Sequence, residues 1–328
     1  MAGKKTINIG RLVSPLRYPG SKRRLIGYVK DSLLLNNMKP KLYVESFAGG
    51  GSIVLQLLAE DLVEKAVLID LDPLIAGFWK AVFFDSDWLI EEISRMEVNI
   101  ENWHKYKSLA PRTIREFALK CFFLNRTSFS GILQAGAGPI GGLNQVSEYT
   151  IDCRFPKKTL IRRIERISAY RNKIHGIWNC SWREGIAKVI EKQGQGKLPK
   201  IDTFLYFDPP FFHKADRLYK FFFSQKDHEE LRDYLLALDM LWMLSYDSAK
   251  EVESLYKNAI AKSVNGTRKE KVEILYSIAN TPGSRISDEI VLSNLPELPS
   301  GKKLWNKEVR SVSSQTKSAV SPPVVAQI

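Results

Sequence analysis

The chain has 328 residues, of which 44% are hydrophobic, and this is enough for a sizeable core in one or two domains. Its 49 Lys and Arg residues outnumber 36 Asp and Glu residues, and the formal net charge of +13 favours a polyanionic partner such as nucleic acid, although charge alone also fits a membrane-surface protein. The three cysteines and four histidines lack the spacing of a disulfide framework or a zinc site. No signal-peptide core follows the N-terminus and no apolar run approaches the ~20 residues of a membrane span, so we expect a cytoplasmic protein without metal or membrane.

The first part of the chain has the pattern of an α/β nucleotide-binding unit. Residues 42–47 (LYVESF) are predicted to form a short buried strand, which runs into a glycine turn and an apolar, helix-like stretch over 53–62. Residues 65–70 (KAVLID) are predicted to form a second strand that ends in an acid, and helical periodicity resumes over 73–84. The order strand, glycine turn, helix, strand, acid is typical of the start of a nucleotide-binding sheet.

Residues 85–175 break this pattern and are predicted to form an inserted, basic subdomain. Helices are predicted over 86–96, 113–124 and 157–173, and the Gly-rich run 130–155 between them is predicted to form loops or a hairpin. The last of these helices carries Lys157, Lys158, Arg162, Arg163, Arg166, Arg171 and Lys173.

The α/β pattern returns after the insert. Strands are predicted at 176–180, 203–207, 241–246, 272–278 and 289–294, with helices near 183–192 and 226–238. From about residue 300 the chain becomes polar and is predicted to be a disordered tail. We therefore predict a discontinuous catalytic domain over 1–84 and 176–299, the insert over 85–175, and the tail over 300–328.

The segment Asp208-Pro209-Pro210-Phe211 follows the strongly apolar strand 203–207. An acid at this point lies at the carboxyl edge of a sheet, where α/β proteins bind ligands. The prolines stiffen the backbone and supply no N–H, so a carboxylate, carbonyl groups and an aromatic ring can point outward together. This set suits an exocyclic amine of a base, although an ordinary Asp-Pro turn is an equal alternative for these residues alone.

The other candidate segments are weaker taken singly. The turn Phe47-Ala48-Gly49-Gly50-Gly51 lets the backbone approach a ligand, and Asp70 ends the next strand, where an acid can bind ribose hydroxyls. A simple strand-to-helix turn is the alternative, and a P-loop is disfavoured because no Lys-Ser/Thr follows the glycines. The basic turn around Arg17 and the segment beginning Asn125-Arg126 suit phosphate or base contacts, but a solvated loop and a helix cap explain them equally well.

Together these segments resemble the Dam-type DNA adenine methyltransferases, the alpha group of the D12 class. The resemblance rests on the order RYPGSK (17–22), FAGGGS (47–52), LIDLDP (68–73), LNRTSFSG (124–131), DPPFF (208–212) and LSYD (244–247), and it covers residues 12–298. It implies an α/β Rossmann-like methyltransferase sheet with helices on both faces and a mostly helical inserted target-recognition subdomain.

The resemblance also implies roles for individual residues. S-adenosylmethionine is the implied cofactor, S-adenosylhomocysteine the product, and the implied cofactor-binding residues are Tyr18, Pro19, Gly20, Lys22, Phe47, Ala48, Gly49, Gly50, Gly51, Asp70, Leu71, Trp182 and Asp208. Lys22 would lie near the cofactor carboxylate, Asp70 at the ribose and Leu71 at the adenine. Asp208, Pro209, Pro210 and Phe211 would be catalytic, although the family often has Tyr in place of Phe211. Double-stranded DNA would be bound by Arg17, Asn125, Arg126, Ser128 and Ser130.

The implied reaction is methylation of adenine N6 after the base leaves the duplex stack. None of the cysteines lies in a Pro-Cys motif, which disfavours a thiolate mechanism at cytosine C5. Methylation of cytosine N4, a degenerate DNA-binding module, and RNA or protein-glutamine methylation remain the alternatives. A nucleoid-associated location and a cognate restriction endonuclease as partner complete the expectations.

Overall fold

One mixed sheet organises the part of the chain that the structure describes. Its seven strands are β1 (Leu42–Glu45), β2 (Lys65–Asp70), β3 (Ile174–Asn179), β4 (Thr203–Phe207), β5 (Leu241–Asp247), β6 (Arg268–Ser277) and β7 (Ser284–Ser293). They lie in the order β3-β2-β1-β4-β5-β7-β6, with parallel neighbours from β3 to β5, and β7 runs antiparallel to β5 and β6. The strand order reverses between β1 and β4, and open α/β sheets bind ligands beyond the carboxyl ends of strands at such a point.

The computed structural model describes residues 11–18, 22–134, 136–212, 220–260, 266–277 and 284–300, without the side chains of 258, 259, 274–277 and 284–287. Two of the predicted cofactor-binding residues, Pro19 and Gly20, lie outside the described residues. The predicted tail lies outside them from residue 301 onward. No helix of the described ranges is long and apolar enough to cross a membrane.

Ten α-helices connect or flank the described strands. They are α1 (Ile26–Leu35), α2 (Ser52–Ala59), α3 (Pro73–Phe84), α4 (Ser86–Arg95), α5 (Ile100–Ser108), α6 (Ile114–Thr127), α7 (Lys157–Ser168), α8 (Trp182–Gly194), α9 (Gln225–Ala237) and α10 (Lys250–Ile260). Their starts follow local chemistry. For example, the Asp72 side chain accepts a hydrogen bond from the Leu74 N–H, and Pro73 occupies the first helical position, where a missing N–H costs nothing.

Both faces of the sheet are buried, because successive strand residues point to opposite sides. Tyr43 and Tyr206 belong to a core that includes side chains of α1, α2 and α3. Val44 and Phe207 belong to a second core with α8, α9 and α10 on the other face. This arrangement confirms the predicted Rossmann-like sheet with helices on both faces.

The inserted helices share the first of these cores. Leu89, Trp103, Phe122 and Leu160 belong to the same apolar cluster as the side chains of α3. The contact between α3 and α6 is close: a Cβ at Gly77 would lie 2.6 Å from Cβ of Phe117. Helices α4–α7 therefore extend the catalytic core, while the 85–175 boundaries and the target-recognition role stay predictions.

Several elements differ from the sequence-based expectation. Helices α1, α5 and α10 were not predicted, and the predicted helix 157–173 ends at Ser168, followed by a short 3-10 turn at Arg171–Lys173. In the described part of 130–155 no hairpin forms; the run consists of turns, and one isolated bridge joins Ser128 to Pro139. Strand β3 begins at Ile174, two residues before the predicted strand and inside the predicted insert.

Candidate active site

A cavity opens beyond the carboxyl ends of β1, β2 and β4. The predicted catalytic and cofactor-binding residues that line it are Tyr18, Lys22, Phe47, Ala48, Gly49, Gly50, Gly51, Asp70, Leu71, Asp208, Pro209, Pro210 and Phe211. Glu45, Asp72, Ile75, Leu133 and the segment 220–223 also line it. The fold thus brings the glycine turn and the Asp-Pro-Pro-Phe segment, more than 150 residues apart in sequence, to one cavity.

The glycine turn between β1 and α2 has no room for side chains. Gly49 and Gly51 have φ angles of +43° and +61°, the left-handed region that glycine adopts at little cost. A Cβ at Gly49 would lie 2.8 Å from the Tyr18 ring, and a Cβ at Gly51 would lie 2.8 Å from the Trp79 ring. The Trp79 indole N–H donates to the Gly49 carbonyl at 2.9 Å, which holds the turn in place.

Asp70, at the end of β2, faces the turn. One carboxylate oxygen accepts the Gly49 N–H at 2.8 Å, and the other accepts the Asp72 N–H at 2.9 Å. Burial raises the pKa of Asp70 to about 7, and the charge of Asp72 adds to the shift. Beside it, the Leu71 side chain is 45% exposed and presents an apolar edge to the cavity.

Glu45 is a lining residue that was not assigned to the site from the sequence. It is the last residue of β1, it is buried, and its carboxylate accepts the Val54 N–H of α2 at 3.1 Å. Burial raises the pKa of Glu45 to about 8. The feature of the sequence that could have indicated Glu45 is its position just before the glycine turn.

Asp208 follows β4 and belongs to a buried network. The Lys22 ammonium nitrogen lies 3.4 Å from its Oδ1 atom, and the Ser245 hydroxyl donates to the same oxygen at 3.4 Å. Burial raises the pKa of Asp208 to about 7; Lys22 opposes this shift and Glu289 adds to it. Tyr206 shares a 2.7 Å hydrogen bond with Ser245, so the network reaches into the sheet.

Lys22 does not have the environment expected of a ligand for the cofactor carboxylate. Its Nζ atom lies 2.9 Å from Oε2 of Glu289, a buried residue of β7, as well as near Asp208. The same atom lies 5.3 Å from the centre of the Phe211 ring. The ammonium group therefore links β7 to the Asp208 segment at the edge of the cavity, and its contact with the cofactor carboxylate stays a prediction.

Aromatic rings surround the Asp208 segment. Phe212 stacks on His228 with ring centres 4.6 Å apart, and Phe223 meets the Phe47 ring edge-on at 5.7 Å. Phe222, which lines the cavity, is 55% exposed. Phe129 is 63% exposed, two residues before the lining residue Gly131, and was not singled out from the sequence.

Two of the predicted DNA contacts, Asn125 and Ser128, are buried and bonded to other parts of the fold. The Asn125 side chain is fully buried: its oxygen accepts the Arg17 N–H at 2.7 Å, and its NH₂ group donates to the carbonyls of Arg17 and Gly131 at 2.7 and 2.9 Å. Ser128 is also buried and accepts the Trp103 indole N–H at 3.2 Å. Both side chains thus bond within the fold, and their contact with DNA stays a prediction.

Arg126, Arg17 and Ser130 have different surroundings. Arg126 is only 6% exposed, and its Nε atom has no hydrogen-bond partner among the described residues. The Nη1 atom of Arg17 is likewise buried without a partner in the described part of the chain. Ser130 is exposed and has a φ of +55°, so its side chain lies at the surface beside the cavity rim.

Trp182 does not line the cavity. It is buried at the start of α8, with its ring 5.1 Å from the ring of Tyr234 and 6.4 Å from that of Phe207. Ser181, the residue that precedes it, caps α8 through a reciprocal pair of hydrogen bonds with Glu184. The described cavity does not include the Trp182 side chain, and its contact with the cofactor stays a prediction.

The sequence model of the family described as D12 class N6 adenine-specific DNA methyltransferase matches residues 18–271, which is most of the chain. The chain belongs to this family. It is therefore a DNA methyltransferase that acts on N6 of adenine, which confirms the adenine prediction over the cytosine alternative. Its reaction requires a methyl donor.

Similar proteins are distant. The Type II methyltransferase M.MjaIII of Methanocaldococcus jannaschii is 22% identical over 221 residues, which cover 60% of this chain and 68% of that protein. The C-terminal domain of precorrin-6Y C5,15-methyltransferase from Rhodobacter capsulatus is 10% identical, with a TM-score of 0.35, and the match covers 87% of this chain and 96% of that chain. Precorrin 8W decarboxylase from Methanobacterium thermoautotrophicum is 13% identical, with a TM-score of 0.32 and coverages of 84% and 91%. At these TM-scores the two structures add nothing to the assignment.

Proposed function

We propose that the methyl donor is S-adenosylmethionine, that it binds in the cavity between the glycine turn and the Asp208–Phe211 segment, and that S-adenosylhomocysteine leaves as product. The single observation that carries this proposal is that one cavity is lined both by the glycine turn with Asp70 and by the Asp208 segment. When bound, the donor supplies a methyl group on a positively charged sulfonium.

The residues of the cavity fit such a donor. Three carboxyl groups, those of Glu45, Asp70 and Asp208, line the cavity, and burial raises the pKa of each. A cationic ligand would stabilise their ionised forms, since an opposite charge nearby favours the charged state of an acid. Asp70 is proposed to accept ribose hydroxyls, and the exposed edge of Leu71 to cover the adenine ring of the donor.

The turn and Tyr18 are proposed to hold the methionine part. The backbone of Gly49–Gly51 can approach a ligand closely because no side chain intervenes. Tyr18 packs on Gly49 and Gly50, so its ring fixes one wall of the cavity. Phe47, Ala48 and Gly51 complete this part of the proposed donor site.

Asp208 and the stiff carbonyls after it are proposed to bind the target amine. The ionised Asp208 carboxylate accepts one N–H of adenine N6, a carbonyl of the Pro209–Pro210 segment accepts the other, and Phe211 stacks on the base. Base–aromatic stacking contributes about 1–3 kcal/mol per base. These contacts orient the nitrogen lone pair, and positioning in a water-poor cavity supplies most of the rate enhancement.

The target adenine must leave the duplex stack to reach this cavity, which costs a few kcal/mol. Phe129 is proposed to assist, because apolar side chains that project from a protein surface can wedge between base steps. Arg17, Arg126 and Ser130 are proposed to contact double-stranded DNA around the flipped base. A cognate restriction endonuclease, a nucleoid-associated cytoplasmic location and the lack of a required metal also remain proposals.

The donor proposal is tested by titrating S-adenosylmethionine into the wild-type protein and the Asp70→Ala variant by calorimetry. We expect the variant to bind at least about 10-fold more weakly, since hydrogen bonds to a charged group are worth about 1.5–3 kcal/mol. Asp239→Ala is the matched control: it removes an exposed carboxyl group outside the cavity, just before β5, and its affinity should equal that of the wild type. Equal affinity of the Asp70 variant would contradict the assigned donor site.

A further inference from the structure

A second depression lies outside the catalytic cavity, and we name it the arginine groove. It is lined by Leu12, Val13, Thr159, Arg162, Arg163 and Arg166. None of these residues lines the catalytic cavity, and Leu12 and Val13 precede the residues matched by the family. The groove is therefore a feature that the methyl-transfer site does not account for.

The groove is a built part of the fold. Leu12 and Leu16 are buried in the main core, so the N-terminal segment is fixed against the body of the protein. The Arg163 guanidinium donates to the Ser14 carbonyl at 3.3 Å and ties this segment to α7. The opposite face of α7 packs into the core through Leu160, Ile164 and Ile167. Both walls of the groove are thus anchored independently of any ligand.

The groove carries a cluster of arginine guanidinium groups. No ion pair of the described chain involves Arg162 or Arg163. Further arginines lie close by: the positive charges of Arg11, Arg163 and Arg24 lower the pKa of Arg23, after the larger effect of its burial. Guanidinium groups gathered in one groove can bind an anion, and their planar forks suit phosphate oxygens.

The cluster continues toward the catalytic cavity. Burial lowers the pKa of Arg126 to about 9, and the charges of Arg17, Arg163 and Arg154 add to this shift. Arg126 is more than nine-tenths buried, and within the described ranges its Nε atom has no hydrogen-bond partner. Arg17 is held through its backbone by Asn125, which also holds Gly131 at the cavity rim. Arg163 therefore joins the groove to the arginines at the edge of the active site.

We propose that the arginine groove binds phosphate groups of the DNA backbone outside the target base pair and thereby lengthens the footprint of the enzyme on its substrate. The occupant is the substrate duplex, because the continuous arginine cluster leads from the groove to the rim of the cavity that receives the base. This proposal rests on DNA as substrate but not on the proposed roles of Asp70 or Asp208.

The test is the salt dependence of DNA binding, measured without cofactor by fluorescence anisotropy on a long labelled duplex of mixed sequence. Each phosphate contact contributes about 0.9 to the slope of log affinity against log salt concentration. We expect Arg162→Gln plus Arg163→Gln to reduce the magnitude of this slope by about 1–2, and Arg162→Gln alone by about 1. Lys197→Gln, which removes one charge from the exposed turn after α8, should leave the slope unchanged.

Three results would overturn the proposal. The first is a slope in both variants equal to that of the wild type. The second is a loss of affinity confined to one sequence, which would indicate base recognition. The third is thermal stabilisation by inorganic phosphate in the wild type but not in the variants, with an unchanged DNA slope, which would indicate a free anion as ligand. Because Arg163 also anchors the N-terminal segment, the exposed Arg162 variant keeps the test valid if the double variant does not fold.

Because the measurement requires no methyl transfer, its failure differs from failure of the proposed function. If the Arg162 variant keeps the wild-type salt dependence of DNA binding and the protein methylates DNA, only the proposed role of the groove is contradicted. An altered slope without donor binding contradicts only the donor site.

Discussion

The catalytic cavity adjoins a cluster of arginines at its rim, formed by Arg17, Arg126 and Arg163. The two regions bury side chains of opposite charge. The cavity gathers the carboxyl groups of Glu45, Asp70 and Asp208, and burial raises the pKa of each of them. The arginine cluster holds Arg17 and Arg126 partly or fully out of solvent, and burial lowers the pKa of both. In each region the free protein disfavours the charged form of its own side chains.

This difference shows which ligand each region accepts. A positive or hydrogen-bond-donating ligand stabilises the ionised form of a buried acid, and an anion stabilises a buried guanidinium group. The cavity therefore suits a sulfonium and an amine, and the cluster suits phosphate. The two regions meet where Asn125 bonds to Arg17 and Gly131, and we call this contact the junction. The same side chain therefore holds both an arginine proposed to bind DNA and a residue that lines the cavity.

The largest expected effect comes from removing the carboxyl group of the cavity that is proposed to bind the target amine. In Asp208→Asn, the amine loses its anionic hydrogen-bond acceptor, and we expect the single-turnover rate to fall by about 100- to 1000-fold or more. The affinity for S-adenosylmethionine should change far less, because Asp70 and the glycine turn remain. Rapid-quench kinetics and calorimetry on the same preparation check both values. Wild-type rates in this variant would remove Asp208 from the mechanism.

The junction between the two regions is broken by Asn125→Ala. Three hydrogen bonds to the backbone at Arg17 and Gly131 are lost in a buried setting, so we expect the free energy of unfolding to fall by about 2–3 kcal/mol. Denaturant unfolding measures this change. Asn102→Ala, which removes one exposed bond to the Glu97 carbonyl, should cost less than about 1 kcal/mol. An equal loss of unfolding free energy in the two variants would show that the Asn125 hydrogen bonds do not stabilise the junction.

The rim of the cavity is tested by Phe129→Ala. If its exposed ring assists base extrusion, the fluorescence rise of 2-aminopurine placed at the methylated position should weaken, with about a 10-fold loss in the extrusion equilibrium. The methylated position is first mapped by sequencing modified DNA. Phe84→Ala removes a ring that is 57% exposed at the end of α3 and should have no effect. An unchanged fluorescence rise in the Phe129 variant would leave extrusion to other residues.

The acidic region also predicts how stability depends on pH. The pKa of Glu45 is raised from 4.5 to about 8, so the folded protein holds a proton that the unfolded chain releases between these values. The stability that this group contributes is present below about 4.5 and is lost as pH rises through about 8. Thermal unfolding of ligand-free protein between about pH 5 and 8 should therefore show a smaller fall in Glu45→Gln, by at most about 1.4 kcal/mol per pH unit. If stability fell equally with pH in the wild type and in Glu45→Gln, the raised pKa of Glu45 would be contradicted.

The sheet and its helices were predictable where local pattern and tertiary burial agree. The bounds of β2 and α3 were predicted to the residue, because an apolar run ending in Asp70 and an Asp-Pro helix start are strong local signals. Helix α5 was missed because Trp103 is its one fully buried side chain and the rest of the segment is polar. The strand, glycine turn and acid at the carboxyl edge likewise identified the cavity.

Contacts between distant residues could not be predicted in this way. Lys22 and Glu289 are 267 residues apart, and nothing in either segment indicates that the two will pair. Asn125 and Ser128 have the residue types that read bases, but the same amide and hydroxyl groups also satisfy buried backbone and indole groups. Burial in the folded chain favours the structural use of both side chains, as it does for Trp182.

The central claim is that one cavity unites a methyl donor with the N6 amine of adenine in DNA. Its most direct test is to incubate the protein with methyl-labelled S-adenosylmethionine and duplex DNA, digest the DNA to nucleosides, and identify the labelled product. The account predicts label in N6-methyl-2′-deoxyadenosine only. Label in N4-methylcytosine, or DNA without label from a protein that binds S-adenosylmethionine, would contradict it.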